Sequence, residues 1–177
     1  MSEFSLRPMV AADLPAVLAV QQQCYPPALI ESAAALASRL ALAPALCWVA
    51  TRGDALAAYL FTHPWPRDSL PALDAPLAAA CVQWPADELT WFVHDMAVAP
   101  AGRGGGLARR LYEAARAAAA TAGLRSSRLI AVQAAAAWWE RLGYAAVTGK
   151  NDDDAPSQLA RYGADAVLMA RAGIAAR

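Results

Sequence analysis

The sequence is poor in charge and in sulfur. Charged residues make up only 17% of its 177 positions, and fifteen basic side chains cancel fifteen acidic ones. That balance removes the general electrostatic case for a nucleic acid or an anionic membrane as partner. Cys24, Cys47 and Cys81 are odd in number, widely spaced and without a Cys-x-x-Cys pair. Such an arrangement points to buried free thiols in a reducing compartment and away from a metal site or a disulfide framework. No apolar run reaches the ~20 continuous residues of a membrane-spanning helix, because Arg, Asp, Glu or Pro interrupts every alanine-rich stretch. Met1-Ser2-Glu3-Phe4 lacks the basic flank and apolar core of a secretory signal. The expectation is a cytoplasmic protein with no metal, no nucleic-acid partner and no membrane partner.

The chain is 58% hydrophobic, enough to bury a sizeable core, and its length suits one domain spanning residues 1–177. Ser5–Met9 reads as a first strand. Leu14, Val17, Leu18 and Gln21 then fall at helical spacing, with Asp13 in the first turn, until Tyr25-Pro26-Pro27 stops the ladder. Glu31–Leu42 reads as a second helix with Ala33, Leu36 and Leu40 on one face. Leu46–Thr51 and Ala55–Thr62 form a hairpin across Arg52-Gly53-Asp54. Residues 63–87 carry five prolines and two tryptophans, Trp65 and Trp84, and read as a flap or long loop. Glu88–Val98 is the strongest strand signal, followed by a helix from Leu107 to Thr121 that stops at Gly123. Ser127–Val132 reads as a strand, Ala134–Leu142 as a helix, and Tyr144–Val147 with Ala166–Ala170 as a last strand pair. The loop at 148–165 carries Asp152-Asp153-Asp154, read as a solvated tip.

Between the central strand and the long helix lies Arg103-Gly104-Gly105-Gly106-Leu107-Ala108. Strand, glycine-rich turn and helix together make an anion site, because turn amides and the unpaired first-turn N–H groups converge on one point. Three successive glycines cost chain entropy, which a plain turn has no need to spend. A Walker loop requires Gly-Lys-Ser/Thr, and a Rossmann fingerprint requires a third glycine where Leu107 stands. Neither fits.

Val98-Ala99-Pro100-Ala101-Gly102-Arg103-Gly104-Gly105-Gly106-Leu107-Ala108 resembles motif A of the GNAT superfamily of N-acetyltransferases, Arg/Gln-x-x-Gly-x-Gly/Ala. Ala135-Ala136-Ala137-Trp138-Trp139-Glu140-Arg141-Leu142-Gly143-Tyr144 resembles its second signature, Ala-x-x-Phe-Tyr-Glu-x-Leu-Gly-Phe. The resemblance implies an α/β (α+β) fold with a mixed, mostly antiparallel central sheet flanked by helices. It also implies acetyl-CoA as co-substrate and a primary amine, of a small molecule or a peptide, as acceptor. Backbone groups of Met96, Ala97 and Val98 would then pair with the pantetheine arm. Amides of Arg103, Gly104, Gly105, Gly106, Leu107 and Ala108 would hold the pyrophosphate, with Trp139 flanking the thiol end. Such proteins occur as monomers or homodimers.

Acetyl transfer needs a neutral amine, and an alkylamine with a pKa near ~10 is almost wholly protonated at neutral pH. His94, one of two histidines, is a candidate base on the central strand; the alternative is a hydrogen-bonded core residue. Simple alternation puts His94 with Phe92 and Met96 on one face and Asp95 on the other, unless a bulge intervenes. Asp95 is a second candidate, as base or as a group orienting His94. Glu88 would act through water or be an exposed strand-end carboxylate, and His63 would line the acceptor pocket or pack its loop. Trp139 stands where the family carries its tyrosine acid, and an indole N–H does not release its proton near neutral pH. Tyr144 reads as core. Tyr25, Pro26, Pro27, Trp65 and Trp84 are candidate pocket walls, favouring an apolar or aromatic amine. A non-catalytic acyl-CoA-binding regulator and a purely structural glycine turn are the competing readings.

Overall fold

A computed structural model describes residues 3–77, 84–148 and 155–175. Cys81 and Asp152-Asp153-Asp154 lie outside the described residues. One sheet of seven strands runs through the molecule: β1 (Ser5–Pro8), β2 (Trp48–Arg52), β3 (Ala55–Pro66), β4 (Leu89–Val98), β5 (Ser127–Ala131), β6 (Ala145–Ala146) and β7 (Val167–Arg171). Their spatial order is β1-β2-β3-β4-β5-β7-β6, and every pair is antiparallel except β4 with β5. Parallel neighbours need a crossover, and α3 (Leu107–Thr121) supplies it.

Helix α3 forms because Leu107, Leu111, Tyr112, Ala115 and Ala119 fall on one buried stripe. That stripe packs on Leu60, Trp91 and Val93 at one face of the sheet. Full burial of a side chain such as Leu111 stabilises the fold by roughly 1.5–3 kcal/mol. On the opposite face lie α1 (Leu14–Cys24) and α2 (Ala33–Leu42), whose Val17, Val20, Leu36 and Leu40 meet Val49, Tyr59, Phe61 and Ala97. Two short helices, α4 (Ala136–Glu140) and α5 (Ala155–Ala160), complete the chain.

Several expected elements differ, each for a physical reason. Helix α2 begins at Ala33 because the Ser32 hydroxyl caps it, accepting the Ala35 N–H at 3.2 Å. Glu31 thus falls outside the helix, and its buried face carries Ala35 and Arg39 rather than Ala33. Strand β3 runs on through His63-Pro64-Trp65-Pro66, a stretch whose proline content suggests loop. Its pairing with β2 ends at Leu60 and only β4 continues beside it, so these prolines sit along an edge that demands no amide. Helix α4 is shorter than expected, because Gln133 and Ala134 both adopt positive φ (53° and 59°) before it. Within the expected loop at 148–165 sits α5.

Two irregularities shape the centre. Strands β4 and β5 pair through only three positions, Trp91–Ser127, Phe92–Arg128 and Val93–Leu129, and then part. The β3–β4 register also steps from Phe61 opposite Asp95 to Thr62 opposite Val93, leaving His94 as the extra residue of a bulge.

Candidate active site

The parting of β4 from β5 exposes a short row of backbone donors and acceptors. The Ala99 N–H donates to the Ala57 carbonyl at 2.8 Å. Backbone direction alternates along a strand, so Ala97 also faces β3, while Met96 and Val98 face the gap. Consistently, the Met96 carbonyl accepts the Tyr25 hydroxyl at 2.7 Å, and the Val98 carbonyl accepts the Cys24 thiol at 3.4 Å. Of the three strand residues named from sequence, Met96 and Val98 turn their backbone groups toward the gap, and Ala97 turns its own toward β3.

Just beyond, Gly104 and Gly106 adopt φ of 81° and 66°, and a Cβ on either would meet only open space. Their conformation, not crowding, calls for glycine. Gly102 differs: it lies against Ala57 and Leu107, where a Cβ would come within 3.1 Å. Gly106 immediately precedes α3, whose first turn holds no acidic side chain. The amides from Gly106 onward are thus left to an anion at the positive end of the helix. Arg103 is exposed beside them, and Leu107 is buried, so Leu107 offers only its backbone. Residues of this cradle and gap fit a pyrophosphate joined to an extended arm.

Behind the gap lies a buried cluster of charge. Arg39 of α2 and Glu31 are 0% and 2% exposed at their side chains and pair at 2.5 Å. Glu31 Oε2 also accepts the Asp74 N–H at 2.8 Å, and its Oε1 lies 3.1 Å from His94 Nε2. The other nitrogen of His94 lies 3.2 Å from His63 Nε2. His94 is only 1% exposed at its side chain, and both ring nitrogens are engaged. Burial pushes the imidazoles of His63 and His94 down from their usual value, so both are neutral at neutral pH. Burial pushes the Glu31 carboxyl up, but the contacts from His94, Arg39 and the Asp74 amide together hold it below its ordinary value.

The bulge at His94 overturns the simple alternation. Asp95 stands on the same face as His94, and its Oδ2 accepts the Tyr59 hydroxyl at 2.7 Å, whereas Met96 packs toward the α3 side. Burial pushes the Asp95 carboxyl up to about 6; the Tyr59 bond opposes this and the Glu31 charge adds to it.

A cavity of about 360 Å³ opens on these groups, lined by Tyr25, Glu31, His94, Asp95 and Met96 and by apolar side chains including Leu29, Leu129, Trp138 and Trp139. Ala108 also reaches its wall, which joins the cavity to the start of α3. Trp139 is otherwise packed edge-on against Trp138, Tyr112 and Tyr144. The Tyr144 hydroxyl bonds to Ser127 Oγ at 2.6 Å inside the core. Pro26, Pro27, Trp65 and Trp84 do not line the cavity, and Trp84 is 45% exposed. Glu88 is an exposed residue ahead of β4.

Sequence reasoning missed Glu31, Arg39 and Tyr162. Glu31 lacks a motif, but a Glu and an Arg at apolar-face spacing around an N-cap serine are a signal for a buried pair. Tyr162 lines the cavity after α5, a helix with no periodicity long enough to read. His63 is neither cavity wall nor loop packing; it is the buried second partner of His94.

The family model of the acetyltransferase (GNAT) family matches residues 14–144. The chain belongs to this family. Both motifs and the parted strands fall inside the matched region, and members use acetyl-CoA as acetyl donor. No curated protein matches the chain by sequence. Among solved structures, the ribosomal-protein-S18-alanine N-acetyltransferase from Escherichia coli is similar at 20% identity and TM-score 0.65, over 99% of this chain and 96% of that one. Arabidopsis thaliana Naa50, in complex with a bisubstrate analogue, is similar at 13% identity and TM-score 0.65, over 95% and 97%. An agmatine N-acetyltransferase mutant is similar at 18% identity and TM-score 0.64, over 95% and 98%. At these identities the likeness is one of fold. The enzyme is an acetyl-CoA-dependent acetyltransferase with one mixed, mostly antiparallel sheet. Among the described residues no group of His, Cys, Asp and Glu is arranged to hold a metal, and no helix is long and apolar enough to cross a membrane.

Proposed function

We propose that the protein acetylates the primary amine of an acceptor with an apolar body and no carboxylate beside the amine. The observation that carries this reading is the lining of the 360 Å³ cavity. Its polar end holds the carboxylates of Asp95 and Glu31, and no lysine or arginine stands among its described lining residues. The part of that cavity left beside the thioester end of acetyl-CoA takes a small amine or the first residue of a peptide.

Acetyl-CoA supplies the activated acetyl thioester. The cradle from Arg103 to Ala108 holds its pyrophosphate, and the amides of Met96 and Val98 face its arm and acetyl carbonyl. Asp95 accepts a hydrogen bond from the entering amine and takes a proton as the nitrogen becomes nucleophilic. With its carboxyl raised to about 6, Asp95 is ionised at neutral pH yet more basic than an ordinary aspartate, which suits that role. His94 stands behind Asp95, with its ring nitrogens turned to Glu31 and His63. Trp139 closes the wall and donates no proton.

An amine and its α-carboxylated counterpart, phenylethylamine and phenylalanine, test this directly. An added carboxylate at hydrogen-bond range of Asp95 costs a few kcal/mol at an effective dielectric of about 20, since Arg39 already offsets Glu31. The ratio of kcat/KM should favour phenylethylamine by well over tenfold. Equal rates, or preference for the amino acid, would sink the assignment.

A further inference from the structure

Three contacts link Glu31 to Pro64 through both histidines. His94 Nε2 lies 3.1 Å from Glu31 Oε1, His94 Nδ1 lies 3.2 Å from His63 Nε2, and His63 Nδ1 lies 3.0 Å from the Pro64 carbonyl oxygen. The two ends of this chain, a carboxylate and a carbonyl, are acceptors only. Each contact needs one hydrogen. A neutral imidazole carries a single N–H, so two neutral rings bring two hydrogens to three contacts. Whatever tautomers are chosen, one contact sets a lone pair against a lone pair, inside a region where an unmade hydrogen bond is costly.

We propose that the Glu31–His94–His63 chain is a proton-accepting unit of acetyl transfer, in which one added proton completes all three hydrogen bonds. This rests on the acetyltransferase reading above. Acetylation of an ammonium forms one N–C bond, breaks one C–S bond and strips two protons from nitrogen. One of these ends on the departing thiol, and the other must leave the site. Asp95 holds one in transit, and the chain, whose Glu31 and His94 reach the cavity wall, holds the other. His63 is a positioning residue: it touches no substrate, but gives His94 the second partner that makes the added proton welcome.

The surroundings keep the chain empty at rest. Burial, with a smaller push from Arg39 behind Glu31, drives both imidazoles toward neutrality against the pull of the Glu31 carboxylate on His94. Asp95 on β4, the Tyr25 hydroxyl at the end of α1 and Tyr162 are ionisable groups of the cavity wall, and the Tyr59 hydroxyl on β3 bonds to Asp95 from behind. Tyr162 after α5 and Cys47 before β2 also stand near the Glu31–Arg39 pair, and burial keeps both protonated.

The chain contains only two histidines, so their ring nitrogens can be followed without ambiguity in 15N-labelled, tag-free, ligand-free protein. As pH falls below the ordinary histidine value, both rings should shift together in one step, with one proton taken up between them. In steady-state assays with acetyl-CoA and an amine, kcat/KM should show an inflection along that same step, separate from the one at about 6 where Asp95 ionises. In His63→Phe, His94 should titrate alone at a displaced midpoint, and the kcat/KM inflection should move with it. Separate steps for the two rings, uptake of two protons, or a ring step that leaves kcat/KM without an inflection of its own would each overturn the proposal. If His63→Phe does not fold, the wild-type titration alone decides. One-step titration in a protein that acetylates no amine would overturn the catalytic role and the reading it rests on. Separate steps in an active enzyme would overturn the proton unit alone.

Discussion

Glu31→Ala should be among the most damaging single substitutions in the molecule, although Glu31 belongs to neither sequence motif. Its carboxylate compensates Arg39, which is 0% exposed and whose Nε and Nη1 have no partner of their own among the described residues. Removing the carboxylate leaves the guanidinium with only the Ala72 carbonyl, at 3.4 Å. Breaking one side of a buried pair costs about 3–5 kcal/mol. The orphaned Asp74 N–H and the unmade hydrogen bond at His94 Nε2 add roughly 1 kcal/mol each. Against a domain stability of roughly 5–15 kcal/mol, that is a third of the total or more. In urea unfolding the midpoint should drop by more than ~1 M with an unchanged slope. Replacing both partners, as in Glu31→Leu with Arg39→Met, should recover much of the stability. The carboxyl titrates below its ordinary value in the folded state. Its contribution is therefore complete above an unfolded pKa near 4.5 and disappears as pH falls through the lower folded value. A Glu31→Ala variant destabilised by less than ~1 kcal/mol would refute the claim that this pair is buried and uncompensated without Glu31.

Three further outcomes follow from the site. In wild type, kcat/KM should rise as pH rises through about 6, where Asp95 ionises; Asp95→Asn should lose that limb and about 10²–10⁴ of the rate. Because the folded carboxyl of Asp95 is raised, its stabilising effect is lost as pH rises through that same value. Asp95→Asn should accordingly be no less stable than wild type at neutral pH in thermal unfolding. Gly106→Ala should cost about 1–2 kcal/mol, since Ala is strained at a φ of 66°. In steady-state kinetics it should raise the KM for acetyl-CoA and not that for the amine. Ala134→Gly should hold or raise the melting temperature, since Ala134 already sits at a φ of 59° where glycine carries no such strain.

What the sequence disclosed was whatever depends on local pattern. Helix α3 was legible because its stripe is regular and it lies between glycines, Gly106 and Gly123. The glycine turn before α3 was legible because turn chemistry is local. Pro64 and Pro66 misled, since a proline is excluded from a strand only where a neighbour needs its amide, and that depends on where β2 ends. The bulge at His94 was visible only as a possibility, because register is a property of two strands and not of one. It is this bulge that brings His94 and Asp95 to one face. Glu31, Arg39 and His63 were hidden for the same reason: their chemistry arises from mutual contact across 63 positions of sequence between Glu31 and His94.

Amine-dependent release of free thiol from acetyl-CoA, with the acetylated amine identified by mass spectrometry, tests the central claim most directly. Purified protein should release thiol only when a primary amine with an apolar body is present, in step with acetylated product. Binding of acetyl-CoA without amine-dependent release across a panel of such amines would contradict it.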